Sequence, residues 1–215
     1  MSILTALLNA VNHSFVERGV GQHHGDLRHA LISAALELVA ESDAAGVTLR
    51  AVARRAGVSA AAPYHHFSDK GALLAAVARD GFDALTQVQL RILGGPGSAR
   101  DRLEELVKQY VLFAVDHRTH YDLMFRTLPT EVGGVEGNAL RDAALSSFGR
   151  LVEAMQAANP ALSTDEVARR AVLAWALAHG AVDVGRWGQA LRPGLDGEAL
   201  AEDVGRAVGR LALDH

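Results

Sequence analysis

The chain has 215 residues, of which 49% are hydrophobic, a formal net charge of −4 and no cysteine. That is enough apolar material for a small domain plus a larger one, and the lack of cysteine excludes disulfides and thiolate metal sites. No uninterrupted apolar run is long enough to span a bilayer, and the start lacks the basic region and cleavage site of a secretory leader, so a cytoplasmic location is expected.

Residues 2–18 form an amphipathic segment with Leu4, Leu7, Leu8, Val11 and Phe15 on one side. Arms that enter the DNA minor groove are basic, and Arg18 is the only cation here. The segment is expected to pack on protein or to lack order.

The most informative stretch runs from Val47 to Phe67. Thr48 is a good N-cap, because its hydroxyl can accept from an orphan amide of the first turn. Leu49, Val52, Ala53 and Ala56 follow at i, i+3, i+4 and i+7, one apolar helix face. Arg50, Arg54 and Arg55 lie off that face. Gly57 stands where the chain must turn sharply, which glycine does without steric penalty. Ser59 is placed to cap a second helix from Ala60 to Phe67, with Phe67 turned inward as its anchor. Ser68 then caps a supporting helix from Asp69 to Arg79. Two short helices joined by a tight glycine turn make a helix-turn-helix, whose second helix reads the major groove.

Gly25-Asp26-Leu27-Arg28, the Val47–Phe67 stretch and Asp69–Leu74, in that order and spacing, resemble the DNA-binding domain of TetR-family transcriptional repressors. His23-His24-Gly25-Asp26 and Trp175-Ala-Leu-Ala-His179-Gly180 resemble the subgroup whose C-terminal domain carries a Trp-His-Gly signature. The resemblance implies a ligand-responsive regulator rather than an enzyme. It would bind a pseudo-palindromic operator as a homodimer and be released by a small-molecule effector. It also implies an N-terminal extension (1–22), a helix-turn-helix domain (23–78) and an effector-binding and dimerisation domain (79–215).

Within that frame, Ala60, Ala61 and Ala62 occupy the start of the reading helix. Their methyls either pack on thymine methyls or simply favour helix. Pro63 removes one early hydrogen bond and should shorten or shift the helix start. By resemblance Tyr64 and His65 are DNA contacts, and His66 packs. Thr48, Ser59 and Lys70 sit at helix starts, where backbone amides also face anions, so they are expected at the DNA surface. Arg50 is a candidate phosphate clamp, while Arg54 and Arg55 either share that role or form a plain solvated face. The acidic total is no objection. Between Ala45 and Ala75 the charge is +3, leaving −7 elsewhere, and attraction to phosphate is local, decaying over roughly 8–10 Å.

Beyond Ala78 the pattern is helical throughout. Ser98–Asp101, Thr119–Asp122 and Ser163–Glu166 are spaced as capping boxes. Breakers fall at Gly94-Gly-Pro-Gly97, Pro129 with Gly133-Gly134, Asn159-Pro160 and Arg192-Pro-Gly194. Helices are therefore expected near 100–117, 120–128, 138–158, 164–189 and 196–213, and the fold class is all-α.

Two helices carry stripes of small residues: Ala171, Ala174, Ala178, Ala181 and Gly185, then Gly197, Ala201, Gly205 and Gly209. Glycine inside a helix costs about 1 kcal/mol against alanine, so such stripes suggest close backbone approach. They form either a four-helix homodimer seam or ordinary packing within one chain.

An effector cavity would be apolar with a few polar groups. Phe113, His117, Met124, Phe125, Phe148, Trp175 and His179 are the candidates, with Tyr110 beside them, although residues at such spacing also simply pack as core. The ligand is expected to be small and uncharged or weakly acidic, since no basic cluster lies among them. The rival reading is a metal-binding protein or enzyme using His23-His24 or Asp116, His117, His120 and Asp122. The spacing matches no ligand pattern, so neither metal nor cofactor is expected.

Overall fold

The structure, a computed structural model, describes residues 23–126, 133–185 and 196–213. The amphipathic segment at 2–18 lies outside the described residues, as do the expected helix ends at 127–128 and 186–189. The regular elements among the described residues are helical, as the periodicity predicts. They are α1 (His23–Gly46), α2 (Leu49–Arg55), a 3₁₀ turn (Ala62–His65), α3 (Lys70–Leu93), α4 (Ala99–Asp116), α5 (Arg118–Arg126), α6 (Gly134–Ala158), α7 (Thr164–Gly185) and α8 (Gly197–Leu211). Near its end α1 is interrupted at Asp43, whose φ of 70° is left-handed.

The chain forms two compact units, residues 1–82 with 119–143, and 83–118 with 144–215. The first is therefore wider than the helix-turn-helix segment expected at 23–78. Part of the physical reason is Gly81 on α3. A Cβ there would lie 2.8 Å from the Met124 sulfur and 3.2 Å from the His120 Cβ, so a larger residue would require the Met124 side chain to shift. Phe125 fills the adjoining space, edge-on to Phe82 at 5.6 Å and tilted against Tyr121 at 4.8 Å.

Caps fix where the helices begin. Ser98 and Asp101 form the expected capping box on α4, each satisfying the other's backbone amide, and those bonds hold the Asp101 carboxyl below its ordinary pKa. Ser163 caps α7 by accepting from Glu166 N at 3.3 Å. The Glu166 carboxylate instead accepts from Arg169 and Arg170. Two expected caps are corrected. Thr119 falls inside α5, which already begins at Arg118. At the start of α3, Asp69 rather than Ser68 accepts from Ala72 N, at 2.8 Å, and the Ser68 hydroxyl donates to that carboxylate. An ionised oxygen is the stronger acceptor.

In the second unit α8 packs on α4 and α7. Along the small-residue stripe of α8, Ala201, Gly205 and Gly209 are buried. A Cβ on Gly205 would lie 2.6 Å from the Glu104 carbonyl oxygen, and one on Gly209 would overlap the Glu104 side chain. On α7, Ala171, Ala174, Ala178 and Ala181 are likewise buried. Ala201, Gly205 and Gly209 on α8 and these four alanines on α7 therefore pack within the chain, whereas Gly185 and Gly197 are exposed. Buried Arg170 locks the end of this bundle, donating to the Leu211 and Ala212 carbonyls at 2.8 and 3.3 Å. These carbonyls belong to the last turn of α8, where a cation also complements the helix dipole.

Candidate nucleic-acid interface

The interface candidates sit on the exposed side of a small apolar base. Val47, Leu49, Val52, Ala53 and Phe67 are buried beneath it. Thr48 is the N-cap of α2, its hydroxyl accepting from Ala51 N at 3.1 Å, and it remains exposed. Gly57 takes a φ of 70° in the turn, as a left-handed position requires.

The expected helix from Ala60 to Phe67 is not formed. A single 3₁₀ turn over Ala62–His65 replaces it. Pro63 is the cause, since it has no N–H to donate to the Ser59 carbonyl. That carbonyl instead accepts from Ala62 N at 3.0 Å, and Tyr64 N donates to Ala61 O at 3.1 Å. Ala61, which offers no side-chain cap, stands at the cap position expected for Ser59. Pro63 itself is buried, and its carbonyl accepts from both His66 N and Phe67 N, at 3.0 and 2.9 Å. The proline thus points the turn's next residues outward. Tyr64 is 55% exposed. His65, Ser59, Ala60 and Ala61 are exposed as well, Ala62 is half-buried, and His66 is half-buried beside Phe67.

The cations divide into two groups. Arg50 and Arg54, one turn apart on α2, are both exposed. Arg55 is committed elsewhere, donating to Glu41 at 2.6 and 2.9 Å and to Glu37 at 3.1 Å. These bonds raise the Arg55 pKa and lower that of Glu41. Lys70 is half-buried and donates to the Ala45 carbonyl at 2.8 Å, tying the end of α1 to the start of α3.

One arrangement was not legible in the sequence. The Arg28 guanidinium lies 5.3 Å from the Phe67 ring centroid, and its Nη2 donates to both carboxylate oxygens of Glu136, at 2.8 and 2.9 Å. Arg28 and Glu136 are 108 positions apart, so no local pattern pairs them.

The effector candidates fall into both units. Met124 is buried and Phe125 half-buried in the first, where both pack around Gly81 and Phe82. In the second unit, Phe113 is fully buried and the half-buried His117 ring lies 4.7 Å from it. Phe148 is half-buried on α6. On α7, the Trp175 ring lies tilted against that of His179, one turn away, with centroids 5.2 Å apart. The His179 Nδ1 is 3.0 Å from the hydroxyl of buried Tyr110. Burial lowers the pKa of both His117 and His179, outweighing Asp116 and Asp183 respectively. Burial thus favours the neutral imidazole at both positions, a form that donates from one nitrogen and accepts at the other. Among the described residues no group of three or more His, Asp or Glu side chains is placed to hold a metal ion. Also among them, no helix is long and apolar enough to cross a membrane.

Two family models match the chain. Residues 31–77 match the TetR-family bacterial regulatory protein model. Residues 103–208 match the tetracyclin repressor-like C-terminal domain. The HTH-type transcriptional regulator BetI of Escherichia coli (strain K12 / DH10B) is 40% identical over 82 residues. That alignment takes in 37% of this chain and 42% of BetI, so the chain spans about two-fifths of the length of the curated relatives it matches. Among solved structures, a protein of unknown function from Rhodococcus sp. RHA1 superposes with a TM-score of 0.73 at 29% identity, over 89% of this chain and 98% of that one. A TetR-family transcriptional regulator from Bordetella parapertussis 12822 gives a TM-score of 0.61 at 18% identity, over 84% and 93%. With the two family models covering both its N-terminal and C-terminal parts, this chain belongs to the TetR family of bacterial regulatory proteins.

Proposed function

We propose that the chain is a transcriptional repressor that binds a pseudo-palindromic DNA operator as a homodimer and releases it on binding a small molecule. The observation that carries the reading is the exposed row of Thr48, Arg50, Ser59, Ala60, Ala61, Tyr64 and His65 over a buried apolar base. Arg50 and the α2 start contact phosphate, supplying sequence-independent attraction. Ala60, Ala61, Ala62, Tyr64 and His65 face base edges from the 3₁₀ turn and the residues that lead into it. Lys70 acts through both its charge and its hold on the Ala45 carbonyl. The fold belongs to a family of DNA-binding regulators rather than of enzymes, and such a protein works in the cytoplasm.

Two-fold recognition needs two copies, and α7 and α8 supply the contact. Leu173, Leu177, Gly180 and Val184 recur on one outward face of α7, and the three large side chains are 44–48% exposed. This apolar face replaces the small-residue stripes as the proposed seam. The effector, small and uncharged or weakly acidic, is held in the C-terminal part. The second-unit candidates Phe113, His117, Phe148, Trp175 and His179 supply apolar surface and two imidazoles whose burial favours the neutral form, whereas Met124 and Phe125 pack within the first unit. Its binding shifts the population toward a conformation that no longer fits the operator.

Tyr64→Ala tests the surface. Because Tyr64 is exposed, melting should stay within about 1 °C, as for ordinary surface changes. Affinity for a duplex recovered from a random pool should fall about tenfold, or about 1.4 kcal/mol. Unchanged affinity would remove Tyr64 from the interface.

A further inference from the structure

We infer that Arg28 and Glu136 are positioning residues for DNA reading, acting through Phe67 on the turn that carries Tyr64 and His65. The inference rests on the proposed DNA-binding role of that turn. Three contacts in series support it, all within the first compact unit.

First, the turn has little hold of its own. Four residues in 3₁₀ geometry, without a side-chain cap, leave its direction to whatever fixes its ends. Second, its C-terminal end is fixed by Phe67, whose amide donates to the Pro63 carbonyl and whose ring is 1% exposed. Third, the Arg28 guanidinium lies against that ring, and a planar cation on an aromatic face is itself held by the ring's quadrupole. Glu136 then fixes the guanidinium through both carboxylate oxygens, and its side chain is only 17% exposed. Both bonds are short and charge-assisted, and they leave from the one Nη2.

Glu136 lies in the first turn of α6, which continues unbroken to Ala158. Any rotation or shift of the α6 start therefore moves the guanidinium, the Phe67 ring and the reading turn together. Neither Arg28 nor Glu136 need approach DNA to do this. Removal of either should change how well sequence is read, not how strongly phosphate is attracted.

The test compares wild type, Glu136→Gln, Arg28→Gln and the double variant on two duplexes. One is recovered by the wild-type chain from a random pool, and the other is a scrambled control. Each single variant should bind the recovered duplex about tenfold more weakly while binding the scrambled duplex within twofold of wild type. The double variant should bind no more weakly than the worse single, because both break the same strut. Electrostatics alone predicts the opposite sign for Glu136→Gln, since deleting an acid favours DNA. Arg28→Lys keeps the charge but replaces the broad guanidinium over Phe67 with a compact ammonium, so it should show the same loss for the recovered duplex. It serves as the conservative second variant, with melting measured alongside. Wild-type affinity in Glu136→Gln, equal losses on both duplexes, or additive losses in the double variant would overturn the inference. Failure of the wild-type chain to recover any duplex would instead overturn the DNA-binding reading and this inference with it.

Discussion

Phe67→Ala should remove about 3–5 kcal/mol of stability, the usual effect of truncating a fully buried phenylalanine. Whole domains are stable by only about 5–15 kcal/mol, so the loss is a large fraction. At roughly 2–4 °C per kcal/mol for a chain of this size, melting of the N-terminal part should fall by about 10 °C. The cause is specific to the site. Phe67 fills the apolar base under the turn together with Val47, Leu49 and Val52. It also presents its ring to Arg28. A cavity there leaves the guanidinium without its aromatic face and the turn without its anchor. DNA binding should weaken beyond what partial unfolding explains, and Phe67→Leu should recover most of the stability. A melting change below about 2 °C in Phe67→Ala would contradict the packing described.

Gly205→Ala should destabilise the second unit by about 1 kcal/mol net, against the direction that helix propensity predicts. Propensity alone favours alanine by about 1 kcal/mol. Here the new Cβ would stand 2.6 Å from the Glu104 carbonyl oxygen. A backbone atom cannot swing aside, so α8 must move away from α4, and overpacking of this kind costs about 1–3 kcal/mol. Gly149→Ala is the contrasting case. It sits inside α6 with nothing described within 4 Å of the added Cβ, so it should gain the propensity term. Thermal melting of the two variants in parallel gives opposite signs. Stabilisation by Gly205→Ala would mean that α8 does not lie on α4 as described.

Much of this was legible from local patterning. The helix-turn-helix rests on an N-cap, an i, i+3, i+4 stripe and a turn glycine, and all three act within a few residues. Thr48 and Gly57 accordingly do what their types predict. The reading helix failed because Pro63 outweighed the helix preference of three alanines. One missing N–H decided between an α-helix and a 3₁₀ turn, and pattern alone does not weigh the two. Thr119 was a good cap by type, yet the chain was already helical at Arg118.

The small-residue stripes show a different limit. A row of glycine and alanine signals close approach but not the identity of what approaches. On α8 the partner is Glu104 of the same chain. The Arg28–Glu136 pair lies beyond any such reading, because long-range ion pairs leave no periodic trace. Likewise, Arg55 and Lys70 look like phosphate ligands by type. One is bound to Glu37 and Glu41 and the other to the Ala45 carbonyl, engagements that residue type alone does not reveal.

The central claim, two-fold DNA recognition through the Thr48–Lys70 surface, is tested most directly by selecting bound duplexes from a random-sequence pool with the full chain. The account predicts enrichment of an inverted repeat whose half-site centres lie about one helical turn, roughly 34–36 Å, apart. Recovery of no enriched sequence, or of a single site without two-fold symmetry, would contradict it.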